Sequence, residues 1–120
     1  PVCFVLTADR AKSKPLYTDV LGLRLMGEDQ HAATFDVGNR TPMRLTDLPG
    51  HKGSGHTVLG WHLADIRAAM AALKAKGVAF QIYEGFCQDA EGVWASPDGG
   101  AKIAWFFDPD GNGLSLTQFG

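Results

Sequence analysis

At 120 residues, with 45% apolar and 20% charged side chains, the chain has an ordinary globular composition, enough for one domain or two small packed halves. A net charge of -2 offers no basic stripe, which argues against nucleic acid as a partner, and no apolar run approaches the roughly 20 residues that cross a bilayer. No charged n-region precedes an apolar run, and the two cysteines, Cys3 and Cys87, are too few and too far apart for a disulfide framework, so a reducing cytoplasm is the expected location.

The first element in chain order is a strand over Val2 to Leu6, a β-branched and aromatic run. Asp9 offers a helix N-cap, the segment Arg10 to Val20 is expected to be helical, and Gly22 closes it. Pro15 sits inside this helix, where it removes a backbone bond, so a late start or a kink is expected. Strands follow at Leu23 to Met26, Thr34 to Val37 and Met43 to Thr46. Leu48 to Gly55, rich in Gly with Pro49 and Ser54, reads as a mobile linker.

The opening pattern then returns. Thr57 to Leu63 is strand-like and Asp65 offers a second N-cap. Ile66, Ala69, Met70 and Leu73 form one helical face, and Gly77 closes the helix after Lys74 and Lys76. Strands are expected at Val78 to Tyr83, Ile103 to Phe107 and Gly113 to Gln118, with Asp108 to Asn112 as the last hairpin turn. The two copies suggest a duplicated supersecondary unit. Each half, near ~60 residues, would hold only a marginal core by itself.

Three phrases in the right order carry a family resemblance. Leu16-Tyr17-Thr18-Asp19-Val20-Leu21-Gly22 resembles a first-helix motif of the form Phe-Tyr-x-x-x-Leu-Gly. Asp65 through Val78 resembles the second helix and its exit, and Phe107-Asp108-Pro109-Asp110-Gly111-Asn112 resembles the penultimate hairpin. Together they resemble the glyoxalase/bleomycin resistance, or vicinal oxygen chelate, superfamily. The resemblance implies an α+β fold of two βαβββ modules, each a curved half-barrel sheet, at about 1–47 and 56–120 with the linker at 48–55. It also implies a homodimer and a small-molecule ligand, with the fold alone fixing no activity.

Metal-dependent members place ligands on the first and last strand of each module. Carried over one at a time, those positions fall at or near Val2, Arg44, Leu59 and Ser115. Val and Leu offer no donor, Arg repels a cation, and Ser is a poor ligand, so no metal and no cofactor are expected. His56 could reach the third position only through a register shift. His31 and His51 read as solvated loop residues, and His62 as a histidine under a helix.

With Leu59 taken to face inward, strand alternation sends Thr57, Trp61 and Leu63 to the same side, and groups Val2 with Phe4, Arg44 with Thr46, and Gly113 with Ser115 and Thr117. The resemblance adds Ile103, Trp105 and Phe107 as the inward set of the penultimate strand. The expected ligand-binding set is Phe4, Arg44, Trp61, Trp94, Trp105, Phe107 and Ser115. Aromatic rings suit a planar or apolar ligand, and Arg44 suits an anion. Alternatives stay open: Arg44 in a structural ion pair and the tryptophans as core. The cysteines read as small, buried or half-buried side chains, with a reactive thiol as the alternative. The segment Tyr83 to Gly100 reads either as a loop over a site, with Trp94 as lid or dimer contact, or as one extra strand near Val93 to Ala95 with its hairpin. A metal-independent small-molecule binder is the leading expectation. A lyase or isomerase using Glu84, Asp89 or His56 is the alternative.

Overall fold

The computed structural model describes all 120 residues. The elements are β1 (Cys3–Thr7), α1 (Arg10–Pro15), β2 (Arg24–Glu28), β3 (Ala32–Asp36), β4 (Pro42–Asp47), β5 (Thr57–His62), α2 (Ile66–Ala75), β6 (Trp94–Ala95), β7 (Ala101–Phe107) and β8 (Gly113–Phe119). They form two four-stranded mixed sheets with the same topology, β1-β4-β3-β2 and β5-β8-β7-β6, an α+β fold of two βαβββ modules. The chain divides into two compact units, residues 1–55 with 108–112, and residues 56–107 with 113–120.

In the first unit, Val5, Tyr17, Ala33, Phe35, Met43 and Leu45 are at most 2% exposed and form the core between helix and sheet. Each large side chain here contributes about 1.5–3 kcal/mol by leaving water. Asp9 caps α1 as expected, accepting from the Lys12 N–H. The helix begins at Arg10 and does not start late. Pro15 lacks an N–H, and beyond it the turn widens: the Leu21 N–H bonds the Leu16 carbonyl five residues back, at 2.9 Å. Leu23 N–H then reaches the Tyr17 carbonyl, with Gly22 at φ +69, a left-handed closure that suits glycine.

The linker is not loose. His51 Nε2 lies 2.9 Å from Asn112 Oδ1, and the Gly53 N–H donates to the Asp110 carbonyl at 2.8 Å. A Cβ at position 53 would overlap the backbone of Gly111, so the close approach requires glycine. His51 is therefore half-buried and partnered, against the solvated loop reading, whereas His31 and His56 are exposed.

The same turn organises a polar core in this unit. Asp108 Oδ2 accepts from the Tyr17 hydroxyl at 2.6 Å and from Asn112 Nδ2 at 2.8 Å. Its Oδ1 accepts from the Asp110 and Asn112 N–H groups, both at 2.9 Å. Burial, with the Asp108 charge beside it, pushes the Tyr17 phenol far above its ordinary range, so it stays a donor.

In the second unit, Ile66, Met70 and Leu73 of α2 are buried on the face that Ala104, Phe106, Leu114 and Leu116 present. Asp65 caps the helix by accepting from the Ala68 N–H at 3.1 Å, and Gly77 closes it at φ +94. The expected strand over Val78 to Tyr83 does not form. Only the Gln81 N–H joins the sheet, bonding the Trp105 carbonyl at 2.8 Å. The Gln88 side chain satisfies other backbone groups of this stretch. It accepts from the Tyr83 N–H at 2.6 Å and donates to the carbonyls of Gln81 and Gly92 at 2.9 and 2.7 Å. The short β6 takes the edge beside β7, near the extra strand anticipated at Val93 to Ala95.

Candidate functional site

The register of the second sheet fixes which side chains share a face. Trp94 lies opposite Ile103, Trp105 opposite Ser115, Phe107 opposite Gly113, and Ile103 opposite Thr117. All point away from α2, as alternation in β7 and β8 predicts. Tyr83 and Phe86 join this face. Their rings meet Trp105 edge to face at centroid distances of 5.8 and 6.1 Å and each other at 5.5 Å. Gln88 holds the segment carrying them, and Arg67 of α2 pins its far end through Asp89, at 2.7 Å, and Glu91.

Trp61 is placed on the opposite side. Thr57 pairs with Gly113 but Leu59 with Leu114, so Val58 is an extra residue and β5 shifts by one. Leu59 and Trp61 therefore align with Leu114 and Leu116 on the α2 side, and Trp61 is half-buried there. Gly60 and His62 take the face expected for Leu59 and Trp61. His62 stacks edge-on against Phe119 at 4.9 Å, so it lies beside the aromatic face and not under the helix.

In the first unit, Phe4 is opposite Arg44, which is opposite Thr34, all on the face away from α1, and Phe4 is 59% exposed. Arg44 is committed within the chain. It donates to Asp29 Oδ2 at 3.1 Å and to Thr34 Oγ1 at 3.3 Å. The His31 N–H above all, with Arg44 and the Ala32 N–H, holds the Asp29 carboxyl at about 2, against an ordinary 3.8. A lowered carboxylate stabilises above the unfolded value, so this contribution is complete above about pH 4 and fades as pH falls toward 2. Arg44→Ala should lower the melting temperature by no more than about 3 °C, because the pair is solvent-exposed. By carbon-detected titration, Asp29 should rise from about 2 yet stay below 3.8, since the N–H donors remain. A return to the full 3.8 would show that Arg44 alone sets the site.

The positions where metal-binding relatives place ligands do not fit a cation here. Val2 has no donor, Arg44 is cationic, the β5 position offers Val58 or Leu59, and Ser115 supplies one hydroxyl. No group of three or more His, Cys, Asp or Glu side chains elsewhere is arranged to hold a metal ion. Asp89 is no base in waiting: burial pushes it up, but the Val93 N–H, Arg67 and the Glu91 N–H outweigh that and hold it low. A depression of about 320 Å³ in the first unit, lined by Arg10, Ala11, Lys14, Glu28 and Asp47, has its charges paired internally. Cys3 is half-buried as expected, its Sγ 3.7 Å from the Pro42 carbonyl, whereas Cys87 is exposed, against the expectation for it.

Solved structures of known proteins share this fold. Similar solved structures include TnmS3, an antibiotic binding protein from Streptomyces sp. CB03234, at 24% identity and TM-score 0.68, covering 99% of this chain and 93% of that one. A glyoxalase/bleomycin resistance protein/dioxygenase from Nocardioides has 22% identity and TM-score 0.75, covering 98% and 81%. FosX, a fosfomycin resistance protein from Listeria monocytogenes, has 10% identity and TM-score 0.76, covering 100% and 92%. No curated protein matches the chain. The family model for the Glyoxalase/Bleomycin resistance protein/Dioxygenase superfamily spans residues 2–116, and with two βαβββ modules in place the chain belongs to that superfamily.

Proposed function

We propose that this chain is a metal-independent small-molecule binder that holds a planar, apolar or aromatic ligand on the face of the second sheet away from α2. The observation that carries this reading is the ring cluster of Trp105 with Tyr83 and Phe86, continued by Trp94 and Phe107 on the same face. Rings of this kind give flat contact area at low conformational cost. The likeness to an antibiotic binding protein supports the same reading. Pairing of two chains belongs to it as well, favoured by the exposed apolar Val2, Phe4, Leu25 and Met26. Trp61, on the α2 side, falls outside the ligand set. A second reading, a lyase or isomerase, draws its one specific support from His62, an imidazole on the same face of the sheet.

The three tryptophans make the test internal. In ¹H–¹⁵N spectra, 2-methylnaphthalene should shift the indole signals of Trp94 and Trp105 saturably and leave Trp61 in place. A ligand of this size is expected to bind with Kd in the tens of micromolar, about -6 kcal/mol. No saturable shift, or equal shifts at all three indoles, would sink the reading.

A further inference from the structure

The face that carries the aromatic cluster is uneven across its strands. β6 and β7 supply Trp94, Ile103, Trp105 and Phe107, whereas β8 and β5 supply Ser115, Thr117, Gly60 and His62. One row runs Trp105, Ser115, Gly60 over three adjacent strands, a span of about 10 Å. Gly60 is its low point. Its backbone is not left-handed, so conformation does not demand glycine there; space does, because a Cβ would collide with Ser115 Oγ.

Ser115 gives the independent indication of a ligand. The residue is 7% exposed, yet its hydroxyl donates to no group of the chain. No fully enclosed side-chain oxygen in the chain lacks a partner, so this hydroxyl is one that reaches the surface, beside Gly60. Within the chain this mostly buried hydroxyl finds no acceptor and is left to water, which an acceptor brought by a ligand would replace. Thr117 and His62 flank the row with further donors.

We infer that the Gly60–Ser115 trough receives a hydrogen-bond-accepting substituent, a carboxylate or carbonyl, on an aromatic ligand whose ring lies at Trp105. Gly60 then sets the size of the substituent and Ser115 its chemistry. This rests on the aromatic-binding reading above and narrows its ligand class to planar aromatics with an acceptor arm. The test compares 2-naphthoate with 2-methylnaphthalene by calorimetry on the intact protein. The wild type should favour 2-naphthoate by about tenfold, the scale of one hydrogen bond to a charged acceptor. Ser115→Ala should erase that preference while 2-methylnaphthalene binding stays within about twofold. Gly60→Val should weaken 2-naphthoate at least about tenfold and 2-methylnaphthalene by no more than about threefold. The inference is overturned if both variants keep wild-type affinity for 2-naphthoate, or if the wild type binds both probes equally. In either case, loss of 2-methylnaphthalene binding in Trp105→Ala would leave the aromatic reading standing. Binding of neither probe by the wild type would end both.

Discussion

Replacing Asp108 by alanine should cost the chain about 3–5 kcal/mol, the largest stability loss anticipated for a single substitution. Four donors converge on this carboxylate, the Tyr17 hydroxyl, Asn112 Nδ2 and the N–H groups of Asp110 and Asn112, at 2.6 to 2.9 Å. Tyr17, Asp108 and Asn112 are at most 4% exposed, so water cannot take the lost acceptor's place. Tyr17→Phe removes one donor and leaves the carboxylate three, which should cost only about 1–2 kcal/mol. The check is urea denaturation: the Asp108→Ala midpoint should fall by about 2 M at unchanged slope. A fall below about 0.5 M would mean that the turn holds its shape without the carboxylate.

Asp108 also shows how the sequence conceals a role. Asp-Pro-Asp-Gly-Asn announces a turn by its composition, and the turn is present. Nothing local says that its first residue accepts a hydrogen bond from a tyrosine 91 positions away. The fold could be read because its determinants are local. Asp9 and Asp65 cap, Gly22 and Gly77 close, and alternation in β7 and β8 puts Trp105, Phe107 and Ser115 on one face. Where a distant group decides the outcome, the local reading fails. Val78 to Tyr83 has strand composition, but the Gln88 amide takes backbone groups a ladder would have paired. The linker has loop composition, but Gly53 rests against Gly111.

Trp61 is different, because the sequence does carry the face it takes. The two copies align at Asp9 and Asp65, which sets Val5 against Trp61 and Phe4 against Gly60. Val5 is buried and Phe4 is 59% exposed. The first copy therefore assigns Trp61 to the helix side and Gly60 and His62 to the other, as the register has them. Counting inward positions from an approximate ligand site misses this by one residue, and one residue reverses a strand's faces.

Trp105→Ala is expected to weaken 2-methylnaphthalene by roughly 30- to 150-fold, about 2–3 kcal/mol, the largest binding effect anticipated. Trp105 is the ring against which Tyr83 and Phe86 both pack, so its loss removes one contact surface and the support for two others. Trp61→Phe, on the α2 side, should leave affinity within about twofold and serves as the control. Trp94→Phe keeps an aromatic ring beside Ile103 and should fall between them. Removal of the Tyr83 and Phe86 contacts should lower stability by only about 1–2 kcal/mol, because Trp105 is half-buried and on the face away from the α2 core. Calorimetry beside a melting curve separates the two effects. An affinity loss that Trp61→Phe reproduces would mean that binding follows overall stability and not this face. Loss confined to Trp105→Ala, with melting only modestly lowered, would place the ligand against the indole.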